Sequence, residues 1–273
     1  MTLFLSLALS VLPWQAPSQA PAGGNRLERV VVIGASMAAG FGAERNLGEA
    51  FEASIRAPHR PVLGLGDVLF FTSPRAIGAR QVEVALDCEP SLVVGLDFLF
   101  WFGYGSLDAQ GGPIERESER LELLETGLAL LADLECPLVL GDFPDMSGAV
   151  GKMLAPAQMP EPTTLPLLSK RVRAWAAERK DTLVLPLSEL VVQLGSQAEI
   201  RMGRHTFPAG SKLLQVDQLH PTLPGLVAVS QLLCDELVRL GLAREEECEF
   251  ELATVMGKVK GRSEAPVGGS PRR

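Results

Sequence analysis

The chain has few of the side chains that bind metal ions and no cluster of the side chains that bind nucleic acids. Its 273 residues include three histidines and four cysteines, and these do not follow the spacing of a zinc site. It has 25 lysines and arginines against 33 aspartates and glutamates, a formal net charge of −8, and no basic run. Because nucleic-acid binding needs a clustered positive surface, we expect no nucleic acid, anionic membrane surface or metal as a partner.

Long apolar runs are also scarce, and the one at the N-terminus is too short to cross a bilayer. Residues 1–12 are mostly apolar, whereas a membrane-spanning helix needs about 20 such residues. Ala20 and Ala22 form a small-x-small cleavage site before Gly23, which is typical of a signal peptide. We therefore expect residues 1–22 to be removed, the mature protein to have no membrane span, and the protein to be exported to the periplasm or the cell exterior. No lysine or arginine precedes the run, so a misassigned start and an uncleaved anchor are the alternatives.

The remaining chain is long enough for one domain with a full core. Hydrophobic residues make up 47% of the sequence, as in a packed globule, and roughly 230 residues suit a single α/β domain. Glycine, proline, serine and arginine dominate beyond Lys258. We therefore expect a single domain over residues 23–257 and a disordered tail over 258–273.

Apolar segments that predict strands alternate with amphipathic segments that predict helices. The strands are expected at 29–33, 62–67, 92–102, 137–141 and 182–186, and the helices at 47–56, 75–87, 118–134, 165–175 and 226–240. The continuously apolar segment 92–102 is typical of a central strand that is buried on both faces. Residues 146–166 are rich in glycine, proline and methionine and predict a long loop at the ligand edge.

Ser36 is the first candidate for a catalytic residue. Residues 29–33 predict a buried strand, and residues 34–40 predict a tight turn that enters a helix. Ser36 would then lie at the carboxyl end of the strand, the edge at which open α/β sheets bind ligands. Its hydroxyl is a candidate nucleophile and its own N–H a candidate oxyanion donor. The alternative is that Ser36 only caps the helix.

A second motif, Asp217-Gln218-Leu219-His220-Pro221, precedes the last predicted helix. Asp217 and His220 are three residues apart, so their side chains can lie next to each other at such a turn. The carboxylate can then hold one imidazole nitrogen while the other takes the proton of a serine. The alternative is a histidine in a solvated turn. His59 and His205 are predicted to be ordinary loop residues.

Together, Gly34-Ala35-Ser36 and the Asp217–Pro221 motif resemble two sequence blocks of the SGNH (GDSL-type) hydrolases. Ala35 stands where the family has aspartate, whereas the second motif matches the family's Asp-x-x-His-Pro. The resemblance implies a three-layer α/β/α sandwich with a central parallel sheet, which is flavodoxin-like. It also implies a secreted serine esterase with Ser36, Asp217 and His220 as its catalytic residues and no cofactor. The implied substrate is a small-molecule, lipid or glycan ester.

The resemblance further implies oxyanion donors beyond Ser36, and Gly66 is the candidate for a glycine N–H after the second strand. The family also has Gly-x-Asn-Asp after the third strand, where the asparagine side chain donates to the oxyanion. That asparagine position falls on Asp97 or on Gly105, and no asparagine follows Asn46. An ionised carboxylate cannot donate a hydrogen bond, and glycine has no side chain.

Asp97 and Tyr104 are therefore the two further site candidates in this segment. A buried carboxylate needs hydrogen-bond partners, so Asp97 is either an interior anchor for neighbouring backbone or a site residue. Tyr104 is the chain's only tyrosine and lies between two glycines. Its hydroxyl could swing into the site as the missing donor, or the ring could be exposed on a glycine-rich turn.

Two other classes of function are consistent with parts of the sequence. The first is a weakly active or inactive binding protein on the same fold. The second is a dinucleotide-binding domain, but Ser36 stands where its second glycine is needed and no strand-ending acid follows about 20 residues later. The four cysteines, Cys88, Cys136, Cys234 and Cys248, are an even set that an exported protein could pair, or they could be free buried thiols.

Overall fold

A computed structural model of the protein describes residues 25–108, 111–196 and 198–261. The predicted signal peptide and residues 262–273 of the predicted tail lie outside these ranges. Among the described residues, no helix has the length and apolar character needed to cross a membrane.

The centre of the fold is a parallel sheet of five strands in the order β2-β1-β3-β4-β5. This is the flavodoxin-like strand order. The strands are β1 (Val30–Val32), β2 (Leu63–Gly64), β3 (Leu92–Gly95), β4 (Leu138–Gly141) and β5 (Thr182–Leu185). All five predicted strands are present, and each predicted helix of 47–56, 75–87, 118–134, 165–175 and 226–240 has a counterpart.

Helices cover both faces of this sheet, so the predicted three-layer α/β/α sandwich is confirmed. The helices are α1 (Leu47–Ala53), α2 (Pro74–Asp87), α3 (Phe100–Tyr104), α4 (Ser118–Leu130), α5 (Thr164–Ala177), α6 (Leu187–Gly195), α7 (Leu223–Arg239) and α8 (Leu252–Gly261). One core cluster lies under α1, α7 and α8, and a second lies under α2, α4 and α5. In β1, Val30 and Val32 enter the first cluster and Val31 enters the second, because successive strand side chains point to opposite faces.

Three elements of the structure were not predicted from the sequence. These are α6, α8 and an antiparallel hairpin of β6 (Ile200–Met202) and β7 (His205–Phe207). His205 therefore lies in a short strand rather than in a loop. The hairpin packs beside α6 and α7 and contributes Met202 to the cleft described below.

The predicted strand over residues 92–102 is wrong beyond Gly95. The chain turns after β3, and Phe100–Tyr104 form the short helix α3. An unbroken apolar run does not distinguish a buried strand from a buried helix. Here Phe98 and Phe102 pack in the core against Phe70, at ring-centroid distances of 5.5 and 6.2 Å.

The predicted start of the disordered tail at Lys258 is also wrong. Helix α8 continues to Gly261, and Val255 and Val259 are fully buried in the core. Lys258 lies 3.8 Å from Glu249 and donates to the carbonyl of Ala53. The lysines and glycine at the end of α8 favoured a disordered tail, although Val255 and Val259 are spaced four residues apart, as on one face of a helix.

Candidate active site

Ser36 lies just past the carboxyl end of β1, in the middle of the sheet. The strand leads into Gly34, whose φ is +145°, a conformation that non-glycine residues rarely adopt. A Cβ atom at Gly34 would lie 2.1 Å from Asp97 Oδ1, so only glycine fits there. The helix predicted after Ser36 is absent. Hydrogen-bonded turns follow instead, and Gly40 and Gly42 interrupt them with φ values of +72° and +67°.

Ser36, His220 and Asp217 form a hydrogen-bonded chain. Ser36 Oγ lies 2.8 Å from His220 Nε2, and His220 Nδ1 lies 2.8 Å from Asp217 Oδ2. The Ser36 hydroxyl is thus engaged by the imidazole rather than by a helix N-terminus. His220 is buried and Phe41 packs on its ring at a centroid distance of 4.6 Å. This is the arrangement of nucleophile, base and orienting acid that acyl-transfer chemistry requires.

A tight turn holds the Asp217 carboxylate against the imidazole. Asp217 Oδ1 accepts hydrogen bonds from the N–H groups of Leu219 and His220, at 2.9 and 3.1 Å. Gln218 between them has a φ of +61°. Burial raises the pKa of Asp217, but its hydrogen bonds from Leu219 and His220 outweigh burial and lower it overall. The carboxylate therefore stays ionised and keeps the Nδ1–H tautomer of His220.

Asp97 lines the cleft that also contains Ser36 and His220, and it anchors the turn that carries Ser36. Its Oδ2 accepts from the N–H groups of Met37 and Ala38, at 2.8 and 3.2 Å. Its Oδ1 is buried without a hydrogen-bond partner among the described residues. Burial raises the pKa of Asp97, and backbone N–H groups, among them that of Ala35, lower it only in part. The side chain combines both predicted roles, since it anchors backbone and borders the site.

Gly66 packs against the turn that carries Ser36, but it does not line the cleft next to Ser36. A Cβ atom on Gly66 would lie 2.3 Å from Ala39 N and 2.5 Å from the carbonyl carbon of Ala38. The loop and the turn are also joined by a 3.1 Å hydrogen bond from Asp67 N–H to Gly34 O. This close approach leaves no room for a side chain, so only glycine fits at this position.

Gln81, which the sequence analysis missed, joins these two segments. Its buried amide accepts from Gly34 N–H at 2.9 Å and donates to the carbonyls of Gly34 and Leu65, at 2.9 and 2.7 Å. Gln81 lies on the buried face of α2 with Gly78, Val82 and Ala85. A glutamine within an apolar helix face was the signal that could have identified it.

Gln215 is a second missed residue, and it joins the two halves of the triad. Its amide donates to the carbonyl of Phe41, at 2.7 Å, and to that of Pro221, at 2.9 Å. The loop after Ser36 is thereby tied to the loop of His220. No periodicity surrounds Gln215, so nothing in the sequence indicated this role.

Tyr104 occupies neither of the two predicted environments, the site or an exposed turn. Its ring is fully buried and stacks on Phe100 at a centroid distance of 4.0 Å, so it is not on an exposed turn. Its hydroxyl donates to the carbonyl of Pro144 and accepts from Met146 N–H at 3.2 Å. The hydroxyl proton is donated to Pro144 and is not free to bind an oxyanion, so the prediction that Tyr104 is an oxyanion donor is wrong. Tyr104 supports the wall that contains Pro144 and Met146.

The triad opens into an apolar cleft. Its cavity volume is about 100 Å³, and the empty space including the open mouth is about 910 Å³. Ser36 and His220 lie in its lining together with side chains of α3, α6 and α7. The described residues contain no group of three or more histidine, cysteine or acidic side chains that could hold a metal ion. All four cysteines are free thiols.

Comparison with known proteins shows the fold. No protein-family model and no curated protein matches the chain. A Bacteroides fragilis protein assigned as an acylhydrolase is 16% identical, with a TM-score of 0.50, over 82% of this chain and 91% of that one. A gut microbial diltiazem-metabolizing enzyme is 12% identical, with a TM-score of 0.50, over 79% of this chain and 48% of that one. A lipase from a goat rumen metagenome has a TM-score of 0.44 at 13% identity, over 80% of this chain and 99% of that one.

Proposed function

We propose that the protein is a serine-dependent ester hydrolase of the SGNH type that cleaves carboxylic esters through an acyl-enzyme. The observation that carries this proposal is the hydrogen-bonded chain Ser36–His220–Asp217, with 2.8 Å at each of its two contacts. The likeness in fold to the assigned acylhydrolase is consistent with it. The proposed substrate is a small-molecule or lipid ester, or an acylated glycan.

In this proposal Ser36 Oγ attacks the ester carbonyl while His220 Nε2 takes its proton. The new C–O bond places the negative charge on the carbonyl oxygen, where the N–H group of Ser36 would stabilise it. His220 then passes the proton to the departing alcohol, which leaves an acyl-enzyme on Ser36. His220 then takes a proton from a water molecule, whose oxygen attacks the acyl-enzyme ester. The acid leaves as His220 gives the proton back to Ser36 Oγ. Asp217 stays ionised throughout and holds the imidazole in place. No step requires a cofactor.

Ser36→Ala and His220→Ala are each expected to remove nearly all hydrolysis of p-nitrophenyl esters while leaving the fold intact. The two losses should not add, because the residues act as a unit. Circular dichroism checks the fold, and labelling by a fluorophosphonate probe checks whether Ser36 is reactive. If Ser36→Ala retains more than about a tenth of the wild-type turnover, where orders of magnitude should be lost, Ser36 is not the nucleophile.

One observation favours a second function, a weakly active or inactive binding protein on this fold. Asp97 is one of the two positions, with Gly105, on which the asparagine donor of the resembling family could fall. Its carboxylate accepts from Met37 and Ala38 instead. One missing oxyanion donor costs ~10²–10³ in turnover. A wild-type protein that neither reacts with the fluorophosphonate nor hydrolyses any ester of the series would favour this second function.

Export is part of the proposal and rests on the sequence of residues 1–22 alone. The mature protein is expected to begin at or near Gly23 in the envelope or secreted fraction. N-terminal sequencing tests this expectation, and an intact Met1 on a cytoplasmic product would contradict it.

A further inference from the structure

We infer that the cleft beside Ser36 is an acyl-chain channel, and that the substrate is an ester of a medium- or long-chain fatty acid rather than an acetylated glycan. This inference rests on the proposed function for its chemistry. It goes beyond that function by selecting one substrate class.

The lining of the cleft is hydrocarbon over most of its length. Apolar side chains from several elements face it, among them Leu99, Trp101, Phe143, Leu190, Met202 and Val229. Most of these side chains are buried. An apolar wall of this extent discriminates by hydrophobic contact rather than by hydrogen bonds.

The polar side-chain atoms in the lining are occupied by the protein itself, except Asp97 Oδ1, which has no partner among the described residues. Asp142 accepts from Arg173 Nη2 and Ser188 Oγ, at 2.6 Å each, and from Ser188 N–H at 2.7 Å. Asp97 accepts from the turn that carries Ser36, and Ser36 and His220 are bonded to each other. Of the described residues that line the cleft, no lysine or arginine is available to bind a phosphate or a carboxylate. Apart from a hydroxyl that reached Asp97 Oδ1, a sugar ring would bury its hydroxyls there without partners, which costs about 1–3 kcal/mol for each buried group.

Part of the channel wall comes from α6 and β6, which the sequence did not predict, and part from α7. Helix α6 supplies Leu190 and Leu194, the β6 strand supplies Met202, and α7 supplies Val229. Of the two parts of an ester, the acyl part stays bonded to Ser36 until water attacks, whereas the alcohol leaves after the first step. The acyl chain is therefore the part that a buried channel can hold through both steps.

The first test is a series of p-nitrophenyl esters from acetate to dodecanoate. Each added methylene is expected to raise kcat/KM by about fourfold until the channel is full, since a buried methylene contributes ~0.8 kcal/mol. A companion series of acetate esters with alcohols of increasing length should show a much weaker dependence. An acetate ester that is cleaved as well as the octanoate ester would overturn the inference and leave the proposed function intact.

The second test uses substitutions on two faces of α6. Leu190→Trp fills the channel and is expected to lower the ratio of octanoate to acetate kcat/KM by at least about tenfold, which corresponds to ~1.4 kcal/mol. Val192→Trp is the matched control, because Val192 is 71% exposed on the same helix and does not line the cleft. It should leave the ratio unchanged. If Leu190→Trp does not fold, Val229→Phe on α7 serves the same purpose. An unchanged ratio in a folded channel variant contradicts the inference.

A binding measurement separates failure of this inference from failure of the proposed function. Methyl octanoate, a neutral probe that the Asp97 carboxylate does not repel, is titrated into Ser36→Ala, and binding is measured by isothermal titration calorimetry. Saturable binding that Leu190→Trp weakens and Val192→Trp does not would support the channel even if the wild-type protein hydrolyses no ester. No binding of methyl octanoate, alongside Ser36-dependent hydrolysis of acetate esters, would refute the channel alone.

Discussion

At the scale of single residues, the site departs most from the resembling family at Asp97. Its carboxylate is buried, one oxygen has no partner among the described residues, and the other accepts two N–H groups from the nucleophile turn. An asparagine could accept the same two hydrogen bonds through its amide oxygen. It would also remove a buried charge and supply a donor.

Asp97→Asn is expected to raise the melting temperature, and to raise it more near neutral pH than near pH ~4. Burial raises the pKa of Asp97 in the folded protein, so the unfolded chain loses this proton first as the pH rises above ~4. Folding of the wild type therefore becomes less favourable over that interval, whereas asparagine does not titrate. Thermal unfolding at a series of pH values measures the difference.

The same variant is expected to raise turnover by about tenfold or more, toward the ~10²–10³ that one oxyanion donor is worth. Asp97→Ala is the control, since it removes the acceptor for Met37 and Ala38 and should destabilise the protein. Lower turnover in a folded Asp97→Asn variant would show that the carboxylate itself is needed.

Gln81 is a positioning residue, because it acts on the site through Gly34 and Leu65 and not by touching substrate. Gln81→Leu is expected to lower kcat by about tenfold or more with little change in KM. Loss of three buried hydrogen bonds should also cost several kcal/mol, at ~1 kcal/mol or more for each. Arg80→Leu, a neighbouring exposed position on α2, is the control. A stability loss with unchanged kcat in the Gln81 variant would indicate that its role is structural only.

At the scale of elements, the wall of the cleft depends on one buried arginine. Arg120 of α4 is 3% exposed. Its Nη1 donates to the carbonyls of Gly103 and Gly105, at 2.8 Å each, and its Nη2 to that of Ala157 at 3.1 Å. The guanidinium thus ties the end of α3 to the long segment between β4 and α5, which was predicted to be a loop and contains only two short 3₁₀ turns.

Arg120→Met is expected to destabilise the protein by about 3 kcal/mol or more, because several buried carbonyls lose a charged donor. Arg120→Lys should recover only part of this loss, since an ammonium cannot reproduce the guanidinium's fork of donors. Urea denaturation of the three proteins measures both effects. Equal stability of the lysine variant and the wild type would mean that charge alone is sufficient.

At the scale of the whole molecule, α8 closes one face of the sandwich. Val255 and Val259 are fully buried there, in contact with the layer of α1 and α7. Cys234 of α7 and Cys248, just before α8, are also fully buried, and their thiols contact each other. The domain therefore extends at least to Gly261.

Val259→Ala is expected to cost about 1–3 kcal/mol of stability, the range for removing buried methyl groups from a core. Lys260→Ala, an exposed neighbour on the same helix, should change stability by less than about 0.5 kcal/mol. Thermal or denaturant unfolding distinguishes the two. A Val259 variant as stable as the Lys260 variant would place α8 outside the cooperative unit.

The five strands of the sheet, most of the helices and the triad candidates could be predicted from the sequence alone. Strand and helix periodicity are local properties, and Asp217 and His220 are near enough in the chain for one turn to bring them together. Ser36 is 184 residues away from His220. Its position at the end of a strand made it a candidate, and the resemblance of two motifs to one family linked it to His220. Only the tertiary structure placed the Ser36 hydroxyl against the imidazole.

Other features depended on contacts that no local pattern records. The chain turns after β3 and forms α3 because of packing with residues that are distant in sequence. The same holds for the hydrogen bond from the Tyr104 hydroxyl to the Pro144 carbonyl and for those between Gln81 and the turn at Gly34. The substrate channel is a further case, since α6, β6 and α7 each contribute only part of its wall. Its shape is a property of packing between elements, and the sequence of any one element does not determine it.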